Sequence, residues 1–235
     1  MKIAFLSASD LRSINDLKTG FEETADFVKA VSATFRKNED ENNMPGVWDV
    51  ATKDKVESLA LRYNPDEFAP LRQQIQKARQ THDLVLVAMH FQPNIAGYQA
   101  AEPYKAFARH IIDAGADIFI GQHPHHMQEF EFYKGRPMIM GNGELIRGKK
   151  TKPKYDVLKN AHEIVYQVHW PAAPGSNVVS MDLILIETEG AKCQVNIEKD
   201  MEKARARIRE INPGKTFIDN EYGLTYVSTE PLASR

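Results

Sequence analysis

The chain is poor in cysteine, in net charge and in long apolar runs. Cys193 is its only cysteine, which excludes an intrachain disulfide and a zinc site built from several cysteines. Lys and Arg total 30 and Asp and Glu total 32, so the formal net charge of −2 gives no electrostatic basis for binding nucleic acid or an anionic membrane. No apolar run approaches the ~20 residues of a transmembrane helix. The first residues, MKIAFLSASD, lack the longer apolar region of a signal peptide.

Several common catalytic motifs are also absent. The chain has no GxSxG nucleophile elbow, no Walker-type phosphate loop and no GxGxxG dinucleotide motif. Its content of 42% hydrophobic and 26% charged residues is typical of a globular protein, and 235 residues are enough to bury a sizeable core. There is no internal repeat and no convincing linker, so the sequence predicts one domain over residues 1–235.

The middle of the chain alternates between helical and strand patterns, which indicates an α/β fold. Apolar residues at helical spacing predict amphipathic helices at Pro65–Gln80 and Glu102–Ala114, the second of which stops at Gly115. Continuous apolar runs predict strands buried on both faces at Leu84–Met89 and Asp117–Ile120. A strand, a helix and a strand in this order favour a parallel pair joined by a right-handed crossover.

Both ends of the chain add further strands, and the later ones predict a second sheet. Strand patterns occur at Ile3–Leu6 and Phe27–Phe35 before the central unit. After it come a hairpin within Phe130–Met140 that turns at Lys134-Gly135, strands at Glu163–His169, Val178–Glu187 and Thr225–Ser228, and a helix at Asp200–Ile211 with Met201, Ala204, Ile208 and Ile211 on one face. The alternation in the later strands is typical of a more antiparallel sheet.

Three histidines follow the two central strands. His90 comes directly after the strand Leu84–Met89, and His123 and His125 follow the strand Asp117–Ile120. In open α/β sheets ligands gather at the carboxyl ends of the strands. If these two strands are parallel neighbours, the three imidazoles emerge at one edge, and imidazole is a common ligand of zinc, manganese and iron. The alternative is that each histidine is an ordinary loop residue.

Other polar residues near this edge have weaker patterns. Asn142 follows the apolar run Met138–Met140 and can reach the same edge, although Asn-Gly is by default a turn. Glu131 can be a hydrogen-bond partner of a ligand histidine, whereas Glu129 is predicted to be a solvated strand residue. Phe130 and its aromatic neighbours are predicted to pack in the core. The histidines expected to lie outside the site are His82, His110, His162 and His169, and the last two have no evident partner in the sequence.

Five ordered motifs in residues 84–146 carry a family resemblance. They read His90-Phe-Gln-Pro-Asn94, Asp113-Ala-Gly-Ala-Asp117, Gly121-Gln-His123-Pro-His125, Glu131-Phe-Tyr133-Lys-Gly135 and Met140-Gly141-Asn142-Gly143. In this order and spacing they resemble the CapA family of capsule and poly-gamma-glutamate biosynthesis proteins, which has a calcineurin-like metallophosphoesterase fold. The resemblance implies a metallophosphoesterase-like α/β sandwich.

The resemblance also implies a site and partners. His90, His123 and His125 would bind a divalent metal (zinc, manganese or iron), and His90 and Asn142 would act in catalysis. The partner would be an anionic polymer or a phosphoester substrate, in the cell envelope or another extracytoplasmic location. No nucleic acid partner and no integral membrane segment is expected.

The departures from the family pattern bear on activity. The family's Trp-Gly after the first histidine is Phe91-Gln92 here, its Glu falls on Asn94, and Gly143 replaces a Phe. The family's Gly-Asp, Asn-Leu-Glu and Asn-Asn-His segments do not occur, so the resemblance implies an N-terminally incomplete domain and an incomplete metal site. An upstream fragment or a homo-oligomer would then be a partner.

Three hypotheses follow. The chain is a metal-dependent hydrolase of the phosphoesterase type, a non-catalytic accessory protein for assembly or export of an anionic polymer, or an inactive truncated family member.

Overall fold

The computed structural model describes residues 1–9, 51–52, 65–90, 95–96, 99–100, 102–122, 127–143, 163–171, 177–189, 192–195 and 201–233. Within these residues there are three helices: α1 (Pro65–Thr81), α2 (Glu102–Asp113) and α3 (Met201–Ile211). The described strands are β1 (Ile3–Ser9), β2 (Ala51–Thr52), β3 (Leu84–His90), β4 (Ile95–Ala96), β5 (Ile118–Gln122), β6 (Phe130–Tyr133), β7 (Arg136–Ile139), β8 (Glu163–His169), β9 (Ser180–Glu189), β10 (Lys192–Val195), β11 (Phe217–Asn220) and β12 (Gly223–Val227). The strand predicted at Phe27–Phe35 lies outside these residues.

The first sheet is mostly parallel and has the order β1-β3-β5-β7-β6. β3 pairs in parallel with β1 on one side and with β5 on the other, and β5 pairs in parallel with β7. The predicted strand–helix–strand unit of β3, α2 and β5 is therefore confirmed, with strand ends shifted by one or two residues. β2 and β4 form a separate parallel pair.

One face of the first sheet is covered by α1 and α2. Leu71 and Ile75 of α1 and Phe107 and Ile111 of α2 are fully buried, and they share a core cluster with alternate residues of β3. Helical spacing predicted these contacts, because residues three and four apart lie on one helix face. Gly115, the second residue after the end of α2, has φ of +117°, as expected for a glycine that ends a helix.

The second sheet is antiparallel, as predicted. Its order is β10-β9-β12-β11, with β8 also paired to β9. The apolar face of α3 packs on this sheet, and all four residues predicted for that face are buried: Met201, Ala204, Ile208 and Ile211. β10 and β11 were not predicted, and β12 begins two residues before the predicted strand.

The hairpin β6–β7 belongs to the first sheet and packs against the second sheet. Lys134 and Gly135 both have positive φ, 55° and 72°, which is the conformation of a two-residue type I′ turn. Phe130 is fully buried, and its ring centroid lies 5.1 to 6.4 Å from those of four aromatic residues of the hairpin and the second sheet: Phe132, Tyr166, Phe217 and Tyr226. The predicted core role of Phe130 is confirmed.

The architecture is a mixed α/β fold with a parallel-rich sheet and a separate antiparallel sheet, consistent with a metallophosphoesterase-like α/β sandwich. In the described part of the chain, no helix is long and apolar enough to cross a membrane.

Candidate metal centre and its neighbourhood

His90 lies at the carboxyl end of β3, at the same edge as the end of β5. In the register of these two parallel strands His90 pairs with Gln122, the last residue of β5. His123 is the next residue in the sequence. Adjacency and parallel direction, the two conditions from which the histidine cluster was predicted, are both met.

Asn142 follows the next strand of the same sheet. β7 ends at Ile139, and a short antiparallel bridge then pairs Asn142 with Met127. The backbone carbonyl of Asn142 accepts a hydrogen bond of 3.4 Å from the N–H of Ile164 at the start of β8. Asn142 is half-buried, and these contacts hold its backbone where the carboxyl end of the first sheet meets the second sheet.

The ligand roles of the histidines stay predictions. His123 and His125 lie outside the described residues, as does the side chain of His90. Within the part of the chain that the structure describes, no group of three or more His, Cys, Asp or Glu residues is arranged to hold a metal ion.

A cluster of buried charges lies beside this edge. Glu129 is 7% exposed and directly precedes β6, and Nζ of Lys105 on α2 lies 2.5 Å from its Oε1 and 2.7 Å from Oε1 of Glu131. The contact with Glu129 is close but poorly aligned for a hydrogen bond, so it is an ion pair. Arg109 also contacts Glu131, at 3.3 Å. The prediction that Glu129 is solvated is wrong, because α2 places an ammonium group over it.

A bacterial capsule-synthesis family matches the part of the chain that contains the first sheet and the helices α1 and α2. The family model of the bacterial capsule synthesis protein PGA_cap matches residues 2–149, more than half of the 235-residue chain. The chain belongs to this family. The expected kinship with CapA proteins is therefore confirmed.

Curated relatives of this PGA_cap member are longer proteins. A probable polyglutamine synthesis accessory protein of Mycobacterium tuberculosis is 26% identical over 171 residues, which cover 72% of this chain and 41% of the relative. The capsule biosynthesis protein CapA of Bacillus anthracis is 38% identical over 89 residues, covering 36% of this chain and 20% of the relative. The PGA biosynthesis protein CapA of Bacillus subtilis is 30% identical over 86 residues, covering 37% and 22%. The matched part thus spans less than half the length of these relatives.

The charge cluster of this PGA_cap chain shifts the protonation of its members. Burial favours the neutral form of Glu131, but Lys105 and Arg109 outweigh it and lower the pKa of the carboxyl. Burial likewise disfavours the charged form of Lys105, while its contacts with Glu129 and Glu131 raise its pKa. Lys215, whose Nζ lies 5.1 Å from the ring centre of Phe130, has a pKa lowered chiefly by burial. Lys105 and Arg109 therefore favour the charged form of Glu131 despite its burial.

The remaining described histidines lie away from this edge. His82 precedes β3 at the amino end, and its Nδ1 contacts Thr81 and the carbonyl of Ala78. His110 is exposed on α2. His169 has a partner that the sequence did not show, because Nε2 lies 2.7 Å from Oδ2 of Asp182 on the neighbouring strand β9. His162 lies outside the described residues.

An apolar cavity lies between the first sheet and β8 of the second sheet. It has a volume of about 830 Å³. Its lining includes Leu86 and Ile120 from the first sheet and Val165 and Val168 from β8, with Asn142 at the carboxyl edge. Sequence reasoning had no signal for it, because it depends on how the two sheets pack.

Proposed function

We propose that this chain acts in capsule or poly-gamma-glutamate biosynthesis as a metal-dependent hydrolase of the phosphoesterase type. Its ligands for a divalent ion are His90, His123 and His125. The observation that supports the proposal is the register of β3 and β5, which pairs His90 with the residue directly before His123. Membership of a capsule-synthesis family supports the biological setting.

The donor set fits one ion better than two. Three neutral imidazoles can hold a single zinc, manganese or iron ion and leave a coordination position open. A pair of ions about 3.5–4 Å apart needs carboxylates that offset the charge. The described carboxylates that follow His125 most closely in the sequence, Glu129 and Glu131, are paired with Lys105 and Arg109. Both carboxylates are therefore already paired with cationic side chains. For this reason we propose a centre with a single metal ion.

The chain's own residues supply binding and orientation. A divalent ion at such a centre contributes Lewis acidity and activates water at neutral pH. The side-chain amide of Asn142 offers both a donor and an acceptor, so it can orient an oxygen of a phosphoester or of an anionic polymer. The apolar cavity lined in part by Asn142 offers an apolar surface beside this residue.

Metal analysis of the purified protein tests the centre. Mass spectrometry of the metal content should find about one zinc, manganese or iron ion per chain, because three imidazoles make one site. We expect His123→Ala to lose most of this metal. His110→Ala, at an exposed position on α2, is the matched control and should keep it. A wild-type chain that purifies and remains without metal after incubation with these ions contradicts the proposal.

A second function is favoured by the name of one relative. The mycobacterial relative is a probable polyglutamine synthesis accessory protein, and Asn94 stands where the resemblance places a glutamate. The chain would then support assembly or export of an anionic polymer at the cell envelope without catalysis. It would bind the polymer, and the histidines would have no catalytic role.

Polymer production separates the two functions. In a producing strain whose own gene is replaced by this one, a variant with His90, His123 and His125 all changed to alanine should lose polymer if the chain is a hydrolase. Polymer at the wild-type level in that variant indicates the accessory role. If wild type and variant both give none, and neither binds metal, the inactive family member is the hypothesis that is left.

A further inference from the structure

The antiparallel ladder of the hairpin β6–β7 continues beyond the ends of its two strands. The bridge between Met127 and Asn142 keeps the register in which Phe130 pairs with Ile139. Two backbone hydrogen bonds of 3.0 and 3.3 Å lie between these pairs, from the N–H of Gln128 to Gly141 and from the N–H of Met140 to Glu129. Met127 is the second residue after His125 in the sequence. The ladder therefore places the backbone of Asn142 opposite the chain that follows the predicted ligands.

An ion pair ties this ladder to the beginning of α2. Nζ of Lys105 lies 2.5 Å from Oε1 of Glu129, and the backbone carbonyl of Glu129 accepts one of the ladder hydrogen bonds. Lys105 and Glu129 are only 9% and 7% exposed. The helix of a parallel strand–helix–strand unit runs antiparallel to its strands, so α2 begins at the carboxyl edge of the first sheet. The pair therefore lies at the edge that carries His90 and Asn142.

What this buried ion pair contributes is geometry more than stability. Apolar side chains in place of a buried ion pair often leave a protein equally stable or more stable. Apolar contacts are non-directional, whereas the ammonium group of Lys105 lies between two carboxylates, 2.5 Å from Glu129 and 2.7 Å from Glu131. These contacts confine the separation of α2 and the ladder to a narrow range.

We propose that Lys105 and Glu129 are positioning residues of the candidate metal centre. They hold the ladder against α2, and the ladder sets the distance between Asn142 and the chain that follows His125. Loss of the groups that support a metal site typically weakens metal binding by about 10–100-fold. The inference rests on the proposed function, because it names what positions the residues of that centre.

A second ion pair joins the same helix to the same hairpin at the opposite edge of the sheet. Nζ of Lys134, in the hairpin turn, lies 2.6 Å from Oδ1 of Asp113, the last residue of α2. A change at Asp113 therefore removes an ion pair between α2 and the hairpin but leaves the ladder beside Asn142 untouched. This makes Asp113 the matched control for Glu129.

Zinc affinity of folded variants tests the inference. Glu129→Gln keeps the shape of the side chain and leaves Lys105 its contact with Glu131, so the variant should fold. We expect it to bind zinc about 10–100-fold more weakly than wild type, whereas Asp113→Asn should bind zinc as wild type does. Lys105→Met combined with Glu129→Met removes both charges and should weaken zinc binding to a similar degree. Circular dichroism and isothermal titration calorimetry measure fold and affinity.

Two outcomes of the titration contradict the inference, and they differ in what else they overturn. A wild type that binds no zinc overturns the proposed function and this inference together. A wild type that binds zinc, with Glu129→Gln equally tight, overturns this inference alone. The proposed metal centre would then stand without a positioning role for the ion pair.

Hydrogen exchange gives a second readout that needs no metal. The N–H groups of Gln128 and Met140 form the ladder hydrogen bonds, so in metal-free Glu129→Gln they should exchange several-fold faster than in wild type. The N–H of Asp117, which donates to Val85 at the amino edge, should exchange at an unchanged rate. Unchanged exchange of Gln128 and Met140 in Glu129→Gln overturns the proposal, since the ladder would then be held without the ion pair.

Discussion

Asp117→Ala is expected to lower the free energy of unfolding by about 3–5 kcal/mol, the usual result of breaking a buried ion pair. The carboxylate is 1% exposed at the amino end of β5. The Arg79 guanidinium of α1 donates to Oδ2, and Nε of Arg136 on β7 lies 3.6 Å from Oδ1. Asp117 therefore joins a helix to two strands of the first sheet.

The backbone adds a further reason for a large loss. Oδ2 of Asp117 accepts the N–H of Val85 at 2.9 Å, and the N–H of Asp117 donates to the carbonyl of Val85 at 2.7 Å. Alanine would leave the buried N–H of Val85 without this acceptor and would take one anionic partner from each of the two guanidinium groups. Leaving a buried N–H unsatisfied costs more than the net value of the hydrogen bond.

Urea denaturation of matched variants measures the effect. Asp113→Ala is the control, because Asp113 is also acidic and ion-paired, with Lys134 at 2.6 Å, but its side chain is 39% exposed. Exposed ion pairs contribute at most about 1 kcal/mol. Asp117→Asn keeps an acceptor for Val85 and should fall between wild type and alanine. Equal stabilities of Asp117→Ala and Asp113→Ala would show that burial does not govern the contribution of this network.

The parts of the fold that sequence predicted are those with strong periodicity. The run Leu84–Met89 and the stripe of α2 give long, regular apolar patterns, so both were located to within one or two residues. β10 and β11 were missed because they are four residues long and mix charged or polar residues with apolar ones, as in KCQV and FIDN. What makes them strands is pairing with β9 and β12, and pairing leaves little trace in so short a segment.

The neighbourhood of the candidate centre also has features that the sequence predicted and features that it did not. The meeting of His90 with the end of β5 followed from the rule that strand–helix–strand units are parallel. The buried ion pair of Glu129 did not follow from any such rule, because its partner Lys105 lies on α2, 24 residues earlier in the chain. His169 and Asp182 are likewise brought together by the pairing of β8 with β9. Ion pairs between elements require the packing itself, which local patterns do not contain.

Lys105→Met is expected to destabilise the protein by about 3–5 kcal/mol, because it removes the cation from a buried pair. Lys105 and Glu129 are 9% and 7% exposed. Without the ammonium group, Glu129 would be a buried carboxylate without its ion-pair partner, whereas Glu131 would keep Arg109 at 3.3 Å. Methionine preserves most of the side-chain volume of lysine, so the loss reports the missing charge rather than a cavity.

The pH dependence of this loss has a defined sign. Lys105 and Arg109 lower the pKa of Glu131 below its usual value of 4.5 despite burial. The stabilisation from this carboxylate is therefore present above the unfolded-state pKa and is lost as the pH falls through the lower, folded-state pKa. Lys105 has a raised pKa, so its charge persists past neutral pH. The difference between wild type and Lys105→Met should be largest near pH 7 and shrink in acid.

A rescue variant identifies the cause. Lys105→Met combined with Glu129→Met replaces the pair with apolar side chains, which is often neutral for a buried ion pair, so the double variant should regain most of the lost stability. Lys134→Met, at an exposed lysine paired with Asp113, is the control and should change stability by at most about 1 kcal/mol. Chemical denaturation at pH 7 and pH 4 measures all four proteins. A double variant no more stable than Lys105→Met would mean that the buried charge of Glu129 is not the cause. Recovery would mean that the pair of Lys105 and Glu129 is dispensable for folding, and the metal content of the double variant would then show whether the pair serves the candidate centre.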